Sequence, residues 1–171
     1  MAVLSKFAIE QQAQNQWCWA AVSLSVFRYF NNQTFATQCA LVNSVFTPPG
    51  DCCQTGSGND CDLSWDISEV LAQYGFLAAE VGGPLDFATL QQQIETAQAP
   101  VVIRVQFDDG MTDHFMVIMG CAEDAQGNRI VYVADPSQAA GNSCQYELAG
   151  FPGNYRPGCT WVNTYQTQGG S

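Results

Sequence analysis

The sequence predicts an α+β fold, with helices first and antiparallel strands second. Three observations carry this. At 171 residues the chain suits one domain and is long enough to bury a core. The run Trp17–Phe30 is apolar around most of its circumference, as a buried helix is. Beyond Pro100, short apolar runs alternate with turn residues of the kind that close hairpins.

Asn15 is the expected N-cap of the first helix, which sets Cys18 about three residues inside it. A second helix is expected over Ala40–Phe46, ended by the Pro48-Pro49-Gly50 turn. The segment DCCQTGSGNDC, residues 51–61, is rich in Gly, Asp and Cys and is the weakest candidate for regular structure. Asp66–Tyr74 reads as a helix closed by Gly75. Phe87–Ala97 reads as another, with Phe87, Leu90, Ile94 and Ala97 on one face, and Pro100 stops it. Val101–Phe107 is the first strand and leads into the turn Asp108-Asp109-Gly110. His114–Cys121 follows, then a turn at Gly127-Asn128, then Arg129–Asp135. Later strands are expected near Tyr146 and Trp161.

Composition narrows the function. Charged residues are 12% of the chain, about half the usual share of roughly 25%. Lys and Arg number 5 against 16 Asp and Glu, a net charge of −11. Phosphate binding is driven by Lys and Arg, so no nucleic acid is expected. No anionic membrane surface is expected either. No apolar run reaches the length of about 18 residues that a transmembrane helix needs. The N-terminus MAVLSKFAIEQQ does not read as a signal peptide. Eight cysteines imply an oxidising compartment or a metal, but the single histidine excludes zinc sites with two or more His ligands.

Four residues form a candidate chemical set. Cys18 sits near a helix N-terminus, where the dipole and unpaired N–H groups favour a thiolate nucleophile. The competing reading is a core thiol or half of a disulfide. His114 opens the strand HFMVIMG and is the one imidazole available as a base. By itself it also fits an ordinary surface histidine. Asp135 ends the next strand, where a simple hairpin register brings it to the same sheet edge to hold the imidazole by its second nitrogen. Alone, Asp135-Pro136 reads as a turn. Gln12, six residues before Cys18, is placed to donate to a developing oxyanion, with the Cys18 amide as second donor.

The blocks QAQNQWCWAAVSLSVF, DHFMVIMG and VYVADP resemble papain-like cysteine peptidases. They are most similar to short bacterial members with a Cys-Trp-Ala-Ala block, the plant-pathogen avirulence effectors among them. The resemblance covers roughly Gln11 to Pro136. It implies a single papain-like domain over 1–171, with a helical lobe over about 11–99 and a sheet lobe over about 100–167. The nucleophile helix would pack on the C-terminal antiparallel sheet. It also implies an endopeptidase acting through a thioester, with a Cys18–His114 pair, Asp135 orienting the ring and Gln12 in the oxyanion hole. Two positions depart from papain: Asp135 stands in place of Asn, and Asn15 in place of a second Cys. Trp161 could shield the His–Asp hydrogen bond as a tryptophan does in papain, but reads more readily as a core or rim aromatic. More distantly, the His and Asp blocks are similar to those of double-glycine leader peptidases, although Cys-Trp replaces their usual Cys-Gly.

Setting Cys18 aside and placing Cys121 in the core as an inert thiol leaves six cysteines with fifteen possible connectivities. Proximity suggests Cys144 with Cys159. Cys39, Cys52, Cys53 and Cys61 then pair among themselves, and a strained Cys52–Cys53 bond is rejected. The rival is a zinc site of those four thiolates. The chain is expected to take a protein or peptide substrate, to need no cofactor or metal, to be a monomer, and to be secreted or otherwise extracytoplasmic, as an exported bacterial protein. Two other functions fit the same residues: amide or acyl transfer of the transglutaminase kind, and a disulfide-stapled binding module without catalysis.

Overall fold

A computed structural model describes residues 1–170. It is α+β. Five helices, α1 (Cys18–Tyr29), α2 (Gln38–Phe46), α3 (Cys52–Thr55), α4 (Ile67–Gln73) and α5 (Phe87–Gln91), lie in the first half. The strands are β1 (Ala2–Val3), β2 (Leu77–Gly82), β3 (Val101–Gln106), β4 (Asp113–Glu123), β5 (Arg129–Ala134), β6 (Cys144–Glu147) and β7 (Thr160–Thr167). They form one antiparallel sheet in the order β2-β7-β3-β4-β5-β6, with β1 paired to the far end of β4. No helix among the described residues is long and apolar enough to cross a membrane.

The first helix starts later than Asn15 predicts. Its N-cap is Trp17, with no side-chain cap, and Cys18 is its first residue. The chain over Asn15–Trp17 is drawn into a turn instead, since the Gln12 amide donates to the carbonyls of Gln14 and Asn15. From Cys18 to Phe27 every residue of α1 is buried, so the all-round apolar run is the helix through the core. α2 begins at Gln38 because the Thr37 hydroxyl accepts from the Ala40 N–H. Within the loop expected to be irregular, Asp51 caps the short helix α3. Gly75, at φ +79°, closes the chain after α4, a conformation that costs glycine little.

Two stretches differ from the expectation. Leu77–Gly82, in the part read as helical, is a strand at the sheet edge, alternating between half-buried and exposed residues. The helix from Phe87 passes into a π-turn over Gln92–Thr96, where the Ala97 N–H reaches back five residues to Gln92. That extra residue keeps Phe87, Leu90 and Ile94 in the core and turns Ala97 outward.

Two disulfides tie the helical part: Cys39–Cys53 and Cys52–Cys61. All four thiols of the cluster are used, which leaves none for zinc. Cys144 and Cys159 are both free thiols, contrary to the pairing that proximity suggested. Sheet order explains this: Cys144 begins β6 at one edge, while β7, which follows Cys159, lies between β2 and β3 near the other. Cys121 is a core thiol, and burial pushes its pKa up to about 11.

The loop closed by Cys52–Cys61 abuts the start of α1. Gly56 allows that approach, because a Cβ there would lie 2.9 Å from the Cys52 carbonyl oxygen and 3.2 Å from the Trp17 ring. Replacing Cys52 and Cys61 together by Ala is expected to lower the unfolding free energy by about 2–3 kcal/mol, the loop-closure value for so short a ring. Urea denaturation measures it.

Candidate active site

The three candidate residues Cys18, His114 and Asp135 come from three separate elements. Cys18 opens α1, His114 is the second residue of β4, and Asp135 follows the last residue of β5. In the β4–β5 pairing Val117 faces Ala134, so the ends of the two strands that carry His114 and Asp135 meet at one sheet edge. There, His114 Nε2 and Asp135 Oδ1 lie 2.7 Å apart, both side chains buried. With Nε2 engaged by the carboxylate, Nδ1 is left free, and Cys18 lies near enough to the ring to help raise its pKa.

The electrostatics follow from this contact. Burial disfavours the charged ring of His114, but the Asp135 hydrogen bond and the Cys18 contact outweigh it and raise its pKa to about 9. Burial likewise opposes the Asp135 charge. The bond to His114, its charge and the Ser137 N–H prevail, and lower the carboxyl to about 2. The pair is therefore an imidazolium–carboxylate pair at neutral pH.

Cys18 and His114 line one cleft of about 710 Å³, together with Gln12, Trp19, Trp65, Arg104, Ser137 and Arg156. That volume suits an extended ligand of several groups. As the first residue of α1, Cys18 carries one of the N–H groups that a helix leaves without an internal acceptor. Gln12 reaches the cleft by way of backbone ties. Its N–H donates to the Pro136 carbonyl, directly beside Asp135, and buried Gln38 grips residues 10, 11 and 13. Both N–H groups of the Gln12 amide, however, are bonded to the carbonyls of Gln14 and Asn15, and its buried Oε1 has no partner.

The two tryptophans beside Cys18 fix where the thiol sits. Trp17 donates from its indole to the Cys61 carbonyl and Trp19 to that of Leu63, while the Gln16 N–H donates to Asp62. The Trp-Cys-Trp pattern thus holds Cys18 from both sides against the end of the disulfide loop and the two residues after it.

Two partners of Asp135 lay outside the sequence reading. The Ser137 N–H donates to Oδ1, the turn an Asp-Pro-Ser run makes, so that contact had a sequence signal. The Tyr155 hydroxyl donates to Oδ2 at 2.9 Å, and nothing in the spacing of GNYRPGC announces it. Trp161 is buried against Phe151. Its indole N–H donates to the Asn163 carbonyl and the Thr164 hydroxyl, and its ring meets Phe151 edge-on. On the other side of the pair, Phe107 lies 6.1 Å from the His114 ring, with the Arg156 guanidinium 4.1 Å above it.

A family model described as papain-like cysteine protease AvrRpt2 matches residues 4–156. The span includes Gln12, Cys18, His114, Asp135 and Tyr155. No curated protein matches the sequence.

Stability should follow the two shifted groups. The contribution of His114 is complete below about pH 6.5, its ordinary value, and is lost as pH rises through about 9. That of Asp135 is present above its ordinary 3.8 and is lost as pH falls through about 2. The native chain should exceed an Asp135→Asn variant most in urea stability between about pH 4 and 6.5, with the difference shrinking on either side. A difference that does not vary with pH would contradict the pair.

Proposed function

Since the chain belongs to the papain-like cysteine protease AvrRpt2 family, we propose that it is an endopeptidase acting through a thioester on Cys18. That it is an enzyme, a cysteine protease with protein as its substrate, follows from the family. The residue roles are our reading. The observation that carries them is the buried 2.7 Å contact between His114 and Asp135, beside Cys18 in one shared cleft.

The Cys18 sulfur attacks the scissile carbonyl carbon as a thiolate, its proton already held on the His114 imidazolium. Asp135 keeps the imidazolium at the angle that serves both the thiol and the leaving group. The carbonyl oxygen becomes an oxyanion, held by the Cys18 N–H and by Gln12. Gln12 does this by exchanging one of its two carbonyl partners, Gln14 or Asn15, for the oxyanion. Collapse breaks the C–N bond, and His114 protonates the departing amine. Water, deprotonated by His114, then attacks the thioester and releases the acid, restoring the thiol.

The cleft is not a miniature of the acidic chain. Arg104 and Arg156 line it alongside Asp66 and Asp113, so the net charge of −11 does not by itself select basic peptides. The two disulfides support an oxidising, extracytoplasmic setting, as for an exported bacterial protein.

Cys18→Ala should abolish peptide cleavage while leaving the circular dichroism spectrum native, and cleavage by the purified variant would refute this. Gln12→Ala should lower kcat by about a hundredfold with KM little changed. The alkaline limb of kcat/KM should fall near pH 9, where His114 loses its proton. Adding an amine acceptor to one acyl donor separates hydrolysis from transfer, and acid should remain the main product.

A further inference from the structure

Asp135 has two carboxylate oxygens, and the geometry distributes them between two partners. Oδ1 faces His114 and the Ser137 N–H. Oδ2 is held by the Tyr155 hydroxyl at 2.9 Å. A carboxylate bonded on one oxygen alone can swing about its Cβ–Cγ bond, and its angle to the imidazole swings with it. Bonded on both, it has one orientation.

We propose that Tyr155 is a positioning residue for this protease, fixing the Asp135 carboxylate so that it holds His114 toward Cys18. The inference rests on the Cys18–His114–Asp135 reading and adds a fourth member to it. Burial, the adjacent carboxylate charge and the hydrogen bond to it all hold the Tyr155 phenol above its ordinary value, so it stays a donor throughout the working pH range.

The segment that bears Tyr155 is built to hold it still. The N–H groups of Tyr155 and Arg156 both donate to the Pro152 carbonyl. Asn154 donates from its side chain to the Glu147 carbonyl, at the end of β6. The Tyr155 ring meets the Tyr146 ring edge-on at 5.9 Å, and Phe151 packs on both Tyr146 and Trp161. The next residue continues the clasp, since Arg156 covers Phe107 and Phe107 lies against His114. One short segment therefore touches Asp135 directly and His114 through a single ring.

The groups that face Asp135 are His114 from β4, Tyr146 from β6 and Tyr155, and His114 in turn faces Cys18. Losing the Tyr155 donor destabilises the ionised carboxylate, so the acid-side midpoint at which the His114–Asp135 pair breaks must rise. The chain has one histidine, so the proton NMR signal of the Asp135-bonded imidazole N–H reports this pair alone.

The test is Tyr155→Phe, which keeps the ring against Tyr146 and removes the donor. It is read alone and in an Asp135→Asn background. Expected are a kcat lower by about tenfold, KM within about twofold, and a native-like melting temperature. The acid midpoint of the His114 signal should shift upward. In the Asp135→Asn background the same change should cost little, because the partner it acts through is already altered. Wild-type kcat with an unmoved His114 signal overturns the proposal, as does an equal loss in both backgrounds. Tyr155→Leu, which removes ring and donor, guards against a purely structural effect. If activity across Phe and Leu variants follows melting temperature instead of the donor, Tyr155 is not a positioning residue. Cleavage by Cys18→Ala would instead sink the underlying reading, a result separate from any of these.

Discussion

A thiol at the first residue of a helix cannot be positioned by that helix alone. The first turn has unpaired N–H groups and, in α1, no side-chain cap. The hold on Cys18 comes from the end of the loop that the Cys52–Cys61 disulfide closes and the two residues that follow, through the indoles of Trp17 and Trp19 and the main chain of Gln16. A buried indole N–H left without an acceptor costs about 1–3 kcal/mol, so both tryptophans are committed to that loop. The Cys-Trp-Ala-Ala block is legible in these terms. The tryptophans lock the thiol in place, and the alanines after them let the helix bury every face.

The opposite wall is held by one set of contacts distant in sequence and one local turn. The N-terminal segment is bonded to Pro136 by Gln12 and gripped by Gln38 from α2. The β3–β4 turn is closed by Asp109, which accepts from the N–H groups of Met111 and Thr112 just before His114. The chain has few charged residues, and the charge-bearing contact that matters, His114 with Asp135, is buried. In a low-dielectric site that contact is stronger than the same pair on the surface, where it contributes little.

Much of this was legible in the sequence because the informative features are local. The apolar run from Trp17, the turns at Asp108–Gly110 and Gly127-Asn128, and the order of Cys18, His114 and Asp135 each lie within a short window. The α+β arrangement and the convergence of His114 with Asp135 follow from them. What sequence did not give depends on strands meeting at a distance. The edge strand Leu77–Gly82 has few β-branched residues and one neighbour, β7, so no local pattern marks it. The Cys144–Cys159 pairing assumed that near in sequence means near in space, which strand order refutes. Tyr155 and the carbonyl partners of Gln12 are single polar contacts set by loop paths. No periodicity encodes such paths.

β7 lies between β2, which precedes the π-turn, and β3, which follows it. Those two strands do not pair with each other, and while β3 pairs with β4, the place of β2 in the sheet waits on residues 160–167. Until that strand arrives, β2 has no partner and β3 presents an open edge to any other chain. The last strand to be made is therefore the one that joins the two parts of the sheet. Folding should be slow and late for a chain of this size, as expected where the decisive pairings are distant in sequence. The hazard is greatest for chains cut before β7, which would expose the apolar, β-branched Val101–Val105 run as a template for aggregation.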